Sequence, residues 1–472
     1  MQSVKVGITA IQQLDSAPLT KNQKSLICML TIGNILEFFD LFLVGFVITL
    51  LMQDQRWSLS TIESGLILAG AGLGTVVGAI FWGWLADKYG RKKSFFSCIL
   101  LLVIFTGLAA LTPENNWLFL LIMRVCVGIA VGGLNVTSVP YVQEFVPSKK
   151  RGLFTGLTSA FVPLGLFLGS FATRYLAEPL GWRGLLIIGC LPAILLAWRK
   201  FIPESPRYLL SKGRFQDARE AYAWAMNIPV TKVGHLPEYV SISKRSYLNI
   251  IRHYPKQLTI VAIGSFSFIL GSFAIQSWGQ VLLNQVFHFS INVVANLFMI
   301  LSLGDLVGRL FSAWISDYLG RRRTLFLFGL IGAFGCIIAA LSIQISTIVH
   351  FLNLNMLSSS WIFFFGILIA MMFGDGAFGI INTFGGEMFS NQVRSTCLGL
   401  GYGVGATAKI IGPVFLGGLI DGKNFSENVV FVPFLIFAFI FFIGSIVYLF
   451  ARETRNIQLE AMSRVSHRHI KF

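Results

Sequence analysis

The chain has 472 residues, of which 55% are hydrophobic and only 12% are charged, about half the charged fraction of ordinary globular domains. This composition excludes an ordinary soluble protein, and the long apolar runs exclude a soluble nucleic-acid binder in spite of the formal net charge of +16. The six cysteines stand singly in apolar stretches and the six histidines are dispersed. The sequence therefore indicates no disulfide framework, no metal site and no enzyme active site.

Taken in chain order, twelve stretches are apolar and long enough to cross a bilayer, which requires roughly 20 mostly apolar residues. They are predicted at 25–52, 61–85, 94–112, 116–140, 152–177, 182–202, 257–283, 291–316, 324–344, 358–383, 395–420 and 428–450. We therefore expect an all-α membrane protein with twelve transmembrane helices in two six-helix bundles. The bundles are predicted at 25–202 and 257–450, with an inter-bundle loop at 203–256 and tails at 1–24 and 451–472.

Lysine and arginine are concentrated on one side of this arrangement. Roughly thirty of the 37 lie in the two tails and in the connections after the even-numbered helices, whereas the other side has only about four, Arg56, Arg174, Arg183 and Lys423. Basic residues accumulate in cytoplasmic loops. We therefore expect both termini to lie in the cytoplasm. We expect the protein in a cell membrane, with a bacterial inner membrane as the simplest case.

A short motif occurs once in each half. The loop after the second helix contains Gly83, Asp87, Gly90 and Arg91, and the loop after the eighth contains Asp317, Gly320 and Arg321, with Ala313 in place of the first glycine. A glutamate and an arginine seven residues apart then follow the fourth and the tenth helices, as Glu144 with Arg151 and Glu387 with Arg394. Topological charge alone accounts for the basic residues but not for the carboxylates. We therefore predict that these groups latch helix ends when the cytoplasmic gate is shut.

At these residues the chain resembles the major facilitator superfamily over nearly its whole length, and the resemblance implies two pseudo-symmetric bundles that rock about a central site. The segment from Pro203 to Leu210 resembles a motif of the sugar-porter and organic-ion branches, and the segment from Gly33 to Asp40 resembles helix 1 of metabolite:proton and aromatic-acid:proton symporters. The seventh helix lacks the hydroxyl-binding pattern of sugar porters. The fifth helix lacks the Gly-Pro-x-x-Gly-Gly stretch of drug antiporters.

Charged residues inside the predicted membrane region indicate function, because a charge at the bilayer centre costs roughly 2.5–3.5 kcal/mol on insertion scales. Asn34, Glu37 and Asp40 share one face of the first helix, and Arg124 on the fourth helix lies at a depth that differs from that of Asp40 by only about 6 Å. A proton symporter needs a carboxylate whose proton affinity changes with its surroundings. We predict Asp40 and Arg124 as the coupling pair, a position to which the resemblance also points, with Glu37 either sharing this role or pairing structurally. A static ion pair is the alternative.

Further polar residues in the membrane are candidates for binding substrate. Lys409 lies in the middle of the eleventh helix, where it can receive a substrate carboxylate or instead neutralise Asp375. Asp305 and Arg309, four residues apart on the eighth helix, are expected to pair with each other. The predicted substrate-binding set is Asn34, Gln276, Gln280, Asp375, Asn382, Tyr402 and Lys409.

The sequence thus predicts proton-coupled uptake of a small organic anion by alternating access. The partners are the substrate, protons and the lipid bilayer, the proton gradient is the driving force without any cofactor, and a monomer is expected to suffice. The alternatives are a sugar, polyol or zwitterion symporter, a drug antiporter, and a sensor that does not transport.

Overall fold

The computed structural model describes residues 9–147, 157, 159–236, 251–351, 358–389, 394–420 and 427–454. Within these residues eleven helices are long and apolar enough to cross a membrane. They are α1 (Lys21–Gln53), α2 (Thr61–Tyr89), α3 (Arg91–Ala110), α4 (Trp117–Phe145), α5 (Pro163–Lys200), α6 (Pro255–Val286), α7 (Ile291–Leu319), α8 (Arg321–Ala340), α9 (Ser359–Glu387), α10 (Cys397–Ile420) and α11 (Asn428–Leu449).

The element α5 covers the greater part of the predicted fifth and sixth helices, 152–177 and 182–202. This element has 38 residues, about 57 Å of helix if it were straight, which is too long for one crossing of a core about 30 Å thick. Gly181 interrupts it with φ 62° and ψ −172°, two residues after Pro179, and the part after Cys190 is the 3₁₀ helix Leu191–Lys200. The eleven helices therefore agree with the twelve predicted crossings.

Two glycines set the starts of α3 and α8, which begin three residues earlier than the sequence predicts. Gly90 has φ 107° and Gly320 has φ 88°. Residues that carry a Cβ atom disfavour these positive φ values, whereas glycine adopts them readily. Each glycine ends one helix and begins the next, so that α2 joins α3, and α7 joins α8, through a one-residue turn. The equivalent turns are a structural sign of the internal repeat.

The predicted tail and inter-bundle loop are partly helical. The chain forms short helices at Ala10–Ser16, Pro206–Ser211 and Phe215–Met226, and another at Ser342–Phe351 after α8. Thr20 donates a hydrogen bond to the carbonyl of Ala225 (2.6 Å), and Asn22 donates one to the carbonyl of Trp224 (2.7 Å). The start of α1, four residues earlier than predicted, is thereby fixed to the segment that follows α5.

The two halves of the molecule meet at one end of the helices and separate at the other. We call the end that carries Gly90 and Gly320 the basic side. On the opposite side, Gln53 of α1 donates to Asn284 of α6 (2.8 Å), and a Cβ on Gly65 of α2 would lie 2.8 Å from the carbonyl oxygen of Pro413 on α10. On the basic side, a Cβ on Gly83 of α2 would meet no atom of the described residues within 4 Å. Because Gly65 and Gly83 lie on one stripe of α2, the space between the halves opens toward the basic side.

Candidate functional site

Asp40 lies at the convergence of the helices of the first half. Its side chain is fully buried and accepts hydrogen bonds from Arg124 on α4 (Nη1, 3.0 Å) and from Thr106 on α3 (Oγ1, 2.9 Å). The Arg124 side chain is only 1% exposed, and its Nε and Nη2 have no hydrogen-bond partner among the described residues. The predicted pair is therefore formed, and its arginine keeps unused donors that a second anion can engage.

Glu37 is one turn away from Asp40 on α1 and has a different environment. It is fully buried, and its Oε1 accepts a hydrogen bond from Asn135 on α4 at 2.9 Å. Its Oε2 has no hydrogen-bond partner in the described part of the chain. Asn135 is itself exposed on α4, so a single amide separates this carboxylate from an accessible surface.

Lys409 lies between the two halves with an aromatic ring on each side. Its Nζ is 5.7 Å from the ring centroid of Phe38 on α1 and 5.8 Å from that of Phe273 on α6, and the residue is 8% exposed. It is close enough to Glu37 to interact electrostatically. An aliphatic ammonium between two rings at this seam can hold a carboxylate whose organic part stacks on the rings.

Asp375, the other predicted partner of Lys409, is instead bound by Arg309. The Arg309 guanidinium donates to Asp305 on its own helix (Nε, 3.3 Å) and to Asp375 on α9. Its third contact, from Nη1 to the carbonyl of Ser159 (3.0 Å), crosses to the first half. The expected pairing of Asp305 with Arg309 is present, and Asp375 completes a buried group of two carboxylates and one guanidinium.

The remaining residues predicted to bind substrate lie at several depths. Gln276 and Gln280 are buried on α6, where Gln280 donates to the carbonyl of Gln276 (2.9 Å) and lies against Gly45 of α1. Asn34 is buried on α1, whereas Asn382 and Tyr402 are partly exposed on the basic-side halves of α9 and α10. Lys409 and Gln280 thus lie where the halves touch.

Three of the predicted gating residues of the first half, Asp87, Arg91 and Glu144, form one cluster on the basic side. Arg91 pairs with Asp87 (2.7 Å) and approaches Glu144 (3.8 Å). Glu204 accepts a hydrogen bond from the backbone nitrogen of Lys92 (2.9 Å) at the start of α3, and the Ser205 hydroxyl donates to Glu144. The segment after α5 therefore closes the cluster.

The second half repeats this cluster. Arg321 pairs with Asp317 (2.7 Å) and approaches Glu387 (3.8 Å). Glu453 accepts from the backbone nitrogen of Arg321 (3.0 Å), and the Thr454 hydroxyl donates to Glu387 (2.5 Å). Each cluster joins helix ends within its own half.

The predicted gating set also includes Arg151, Arg394 and Gly83. Arg151 lies outside the described residues, and only the backbone of Arg394 is described, at the start of a helix. A Cβ on Gly83 would have no close neighbour in the described part of the chain. The Asp87 side chain is 72% exposed, which fits a gate that is open on the basic side.

Sequence reasoning missed several contact residues. Thr106 and Asn135 are single polar residues in apolar helices and carry no motif. Glu204 and Ser205 belong to the segment noted for its resemblance to other transporters but were assigned no role. Glu453-Thr454 repeats the Glu-Ser pair after the last helix, and a comparison of the two halves could have found it.

These features can be compared with known proteins. A family model described as sugar (and other) transporter matches residues 26–465. The chain belongs to this family. It is 26% identical to the niacin transporter NiaP of Acinetobacter baylyi over 96% of this chain and 99% of the relative, and 24% identical to the benzoate transport protein of the same organism over 88% and 87%.

Solved structures of xylose transporters share the fold. The crystal structure of the D-xylose-proton symporter superimposes with a TM-score of 0.69 at 18% identity, covering 91% of this chain and 98% of that chain. A partially occluded inward-open XylE from E. coli gives a TM-score of 0.68 at 19% identity, covering 92% and 99%. The protein is therefore a multi-pass membrane protein of the major facilitator superfamily and a secondary transporter of small molecules, not an enzyme.

Proposed function

We propose that the protein couples the uptake of a small organic anion to protons, and that flat aromatic monocarboxylates are its preferred substrates. The observation that carries the proposal is Lys409, a nearly buried cation held between Phe38 and Phe273 at the seam of the two halves. Niacin and benzoate, which give two of the relatives their names, are both carboxylates on a six-membered aromatic ring. The ammonium suits the carboxylate and the phenyl rings suit the flat ring system.

The same geometry supports proton coupling. A substrate carboxylate at Lys409 brings a negative charge close to Glu37 and, one turn further, to Asp40. Added negative charge favours the protonated form of a neighbouring carboxyl group. Binding of the anion therefore promotes binding of a proton at Asp40, and Arg124 stabilises Asp40 when the proton has left.

Charge placement supports the proposed orientation. We infer that the basic side faces the cytoplasm of a bacterial inner membrane, because Lys and Arg cluster in its loops. In this conformation the central site would then be reached from inside the cell. A monomer contains the whole site.

A sugar or polyol is the second candidate, and the buried amides of Gln276 and Gln280 favour it. The Oε1 of Gln280 has no hydrogen-bond partner among the described residues and could accept one from a hydroxyl group. Both candidates predict transport, but they differ in whether a negative charge is needed.

The test compares ligands that differ by one charge. Binding of nicotinate, nicotinamide, benzoate and xylose to the purified protein is measured by calorimetry. We expect nicotinate and benzoate to bind, nicotinamide to bind at least tenfold more weakly, and Lys409→Gln to lose roughly 10- to 100-fold in carboxylate affinity, as for loss of one charged hydrogen bond. Lys409→Arg, the control, keeps the charge and should retain most of the affinity. Binding of xylose alone, or equal binding of the acid and its amide, would contradict the carboxylate assignment.

A further inference from the structure

A basic cavity of about 250 Å³ lies on the basic side of the first half, away from the central site. Its walls come from the α2–α3 turn, the end of α5 and the segment 204–214. The basic residues that line it are Lys92, Lys93, Arg199 and Arg214, together with one carboxylate, Glu204, and two tyrosines.

The carboxylates near the cavity do not balance these cations. Glu204 accepts hydrogen bonds from two backbone nitrogens, those of Lys92 and Ser205, at 2.9 Å each, and Arg214 pairs with Asp217 at 2.6 Å. The side chains of Lys92, Lys93 and Arg199 lie within 4 Å of no carboxylate in the described ranges. Glu204 attracts Lys92, and Arg199 repels it, so that a bound anion would relieve the repulsion between the two cations.

The cavity lies where the protein meets the bilayer surface. Trp84 and Tyr89, at the end of α2, are 58% and 48% exposed, and Lys88 stacks over both rings at 5.0 and 5.2 Å. Exposed Trp and Tyr are typical of the membrane–water interface. They place the cavity at the depth of lipid phosphates.

An apolar surface continues from the cavity into the membrane. Lys93, Leu100 and Ile104 lie on one stripe of α3 by helical spacing, and the two apolar residues are 47% and 44% exposed. Ile194, on the neighbouring 3₁₀ helix, is 59% exposed. The stripe leads from the cations to a surface on which acyl chains can lie.

We propose that this cavity binds the phosphate group of an anionic phospholipid, with the acyl chains along α3 and the end of α5. Lysine and arginine are the usual ligands of phosphate, and basic pockets beside transmembrane helices on the basic side bind acidic headgroups. The site is independent of the transported substrate.

The test counts lipids retained by the full-length protein in native mass spectrometry. Phosphatidylglycerol and phosphatidylcholine with identical acyl chains are titrated against wild type and against a cavity variant, Lys92→Gln/Lys93→Gln/Arg199→Gln. Each cation near a membrane surface is worth about 1 kcal/mol, or roughly fivefold, so the cavity variant should bind the tightest phosphatidylglycerol on the order of 100-fold more weakly. Arg199→Gln alone should lose about fivefold, which keeps the test valid if the triple variant folds poorly.

A control variant, Lys21→Gln/Lys24→Gln/Lys232→Gln, removes three exposed charges from the same side outside the cavity. It should bind phosphatidylglycerol as wild type does, and phosphatidylcholine should not occupy the site. Equal losses in the cavity and control variants, or equal binding of the two lipids, would overturn the proposal. Displacement of the lipid by inorganic phosphate at similar concentration would overturn the lipid assignment in favour of a free anion.

Discussion

Removal of Arg124 should make the stability of the protein depend on the charge of Asp40. The two groups share one hydrogen bond at 3.0 Å and are 1% and 0% exposed. In Arg124→Met, the hydrogen bond from Thr106 is the one that Asp40 keeps among the described residues. A buried carboxylate without its partner typically costs 3–5 kcal/mol.

Uptake of a proton by Asp40 limits the free-energy cost of burying its unpaired carboxylate. Protonating an ordinary Asp at pH 7, about three pH units above its usual pKa of about 3.9, costs about 4 kcal/mol, and at pH 5 about 1.5 kcal/mol. The variant should therefore lose up to about 4 kcal/mol at pH 7 and clearly less at pH 5. Since the folded variant then binds more protons than the unfolded chain, its stability falls as pH rises. The double variant Asp40→Asn/Arg124→Met has no charge to bury and should be more stable at pH 7 than the single variant.

The assay is thermal unfolding in detergent of wild type, Arg124→Met and the double variant between pH 5 and pH 8. We expect the double variant to unfold at a higher temperature than the single variant at pH 7 and the two to converge toward pH 5. Equal unfolding temperatures for these two variants at pH 7 would refute the reasoning, because Asp40 would then carry no uncompensated charge.

Three further predictions concern other parts of the structure. Gly83→Trp should block the approach of α2 to α10 on the basic side, so that transport into proteoliposomes stops while substrate binding measured by calorimetry persists. The control is Gly418→Trp, which also enters open space among the described residues and should still transport. Loss of transport in both variants would contradict closure on the basic side. Glu204→Gln and Glu453→Gln each remove a carboxylate from a helix start and should cost about 1 kcal/mol by thermal unfolding; a loss at only one of them would argue against equivalent clusters. Arg309→Gln leaves two buried carboxylates facing each other and should destabilise by 3 kcal/mol or more, and an unchanged unfolding temperature would speak against the triad.

The fold and the positions of the charged residues were predictable because the features that identify membrane-spanning helices, namely long apolar runs and short charged motifs, are visible in local sequence. Long apolar runs can only be spanning helices here, and the twice-occurring motif of Asp87 and Asp317 identifies two equivalent halves. The ion pair between Asp40 and Arg124 followed from depth and helix face. Asp305 and Arg309 followed from their spacing alone.

The partners that come from distant segments were not predictable in the same way. Whether Asp375 pairs with Lys409 or with Arg309 depends on the rotation of three helices about their axes, which a single sequence does not fix. The rings of Phe38 and Phe273 around Lys409 are two among 44 phenylalanines, and nothing local distinguishes them.

The most direct test of proton-coupled anion uptake is acidification of proteoliposomes that contain a pH-sensitive dye. Benzoate or nicotinate is added outside, with wild type and Asp40→Asn compared at equal protein content and with the isotope-labelled acid followed in parallel. We predict that the acid enters and acidifies the lumen with wild type, and that Asp40→Asn abolishes the proton movement. Entry of the labelled acid without proton movement in either protein would contradict coupling and leave Asp40 with a structural role in a facilitator.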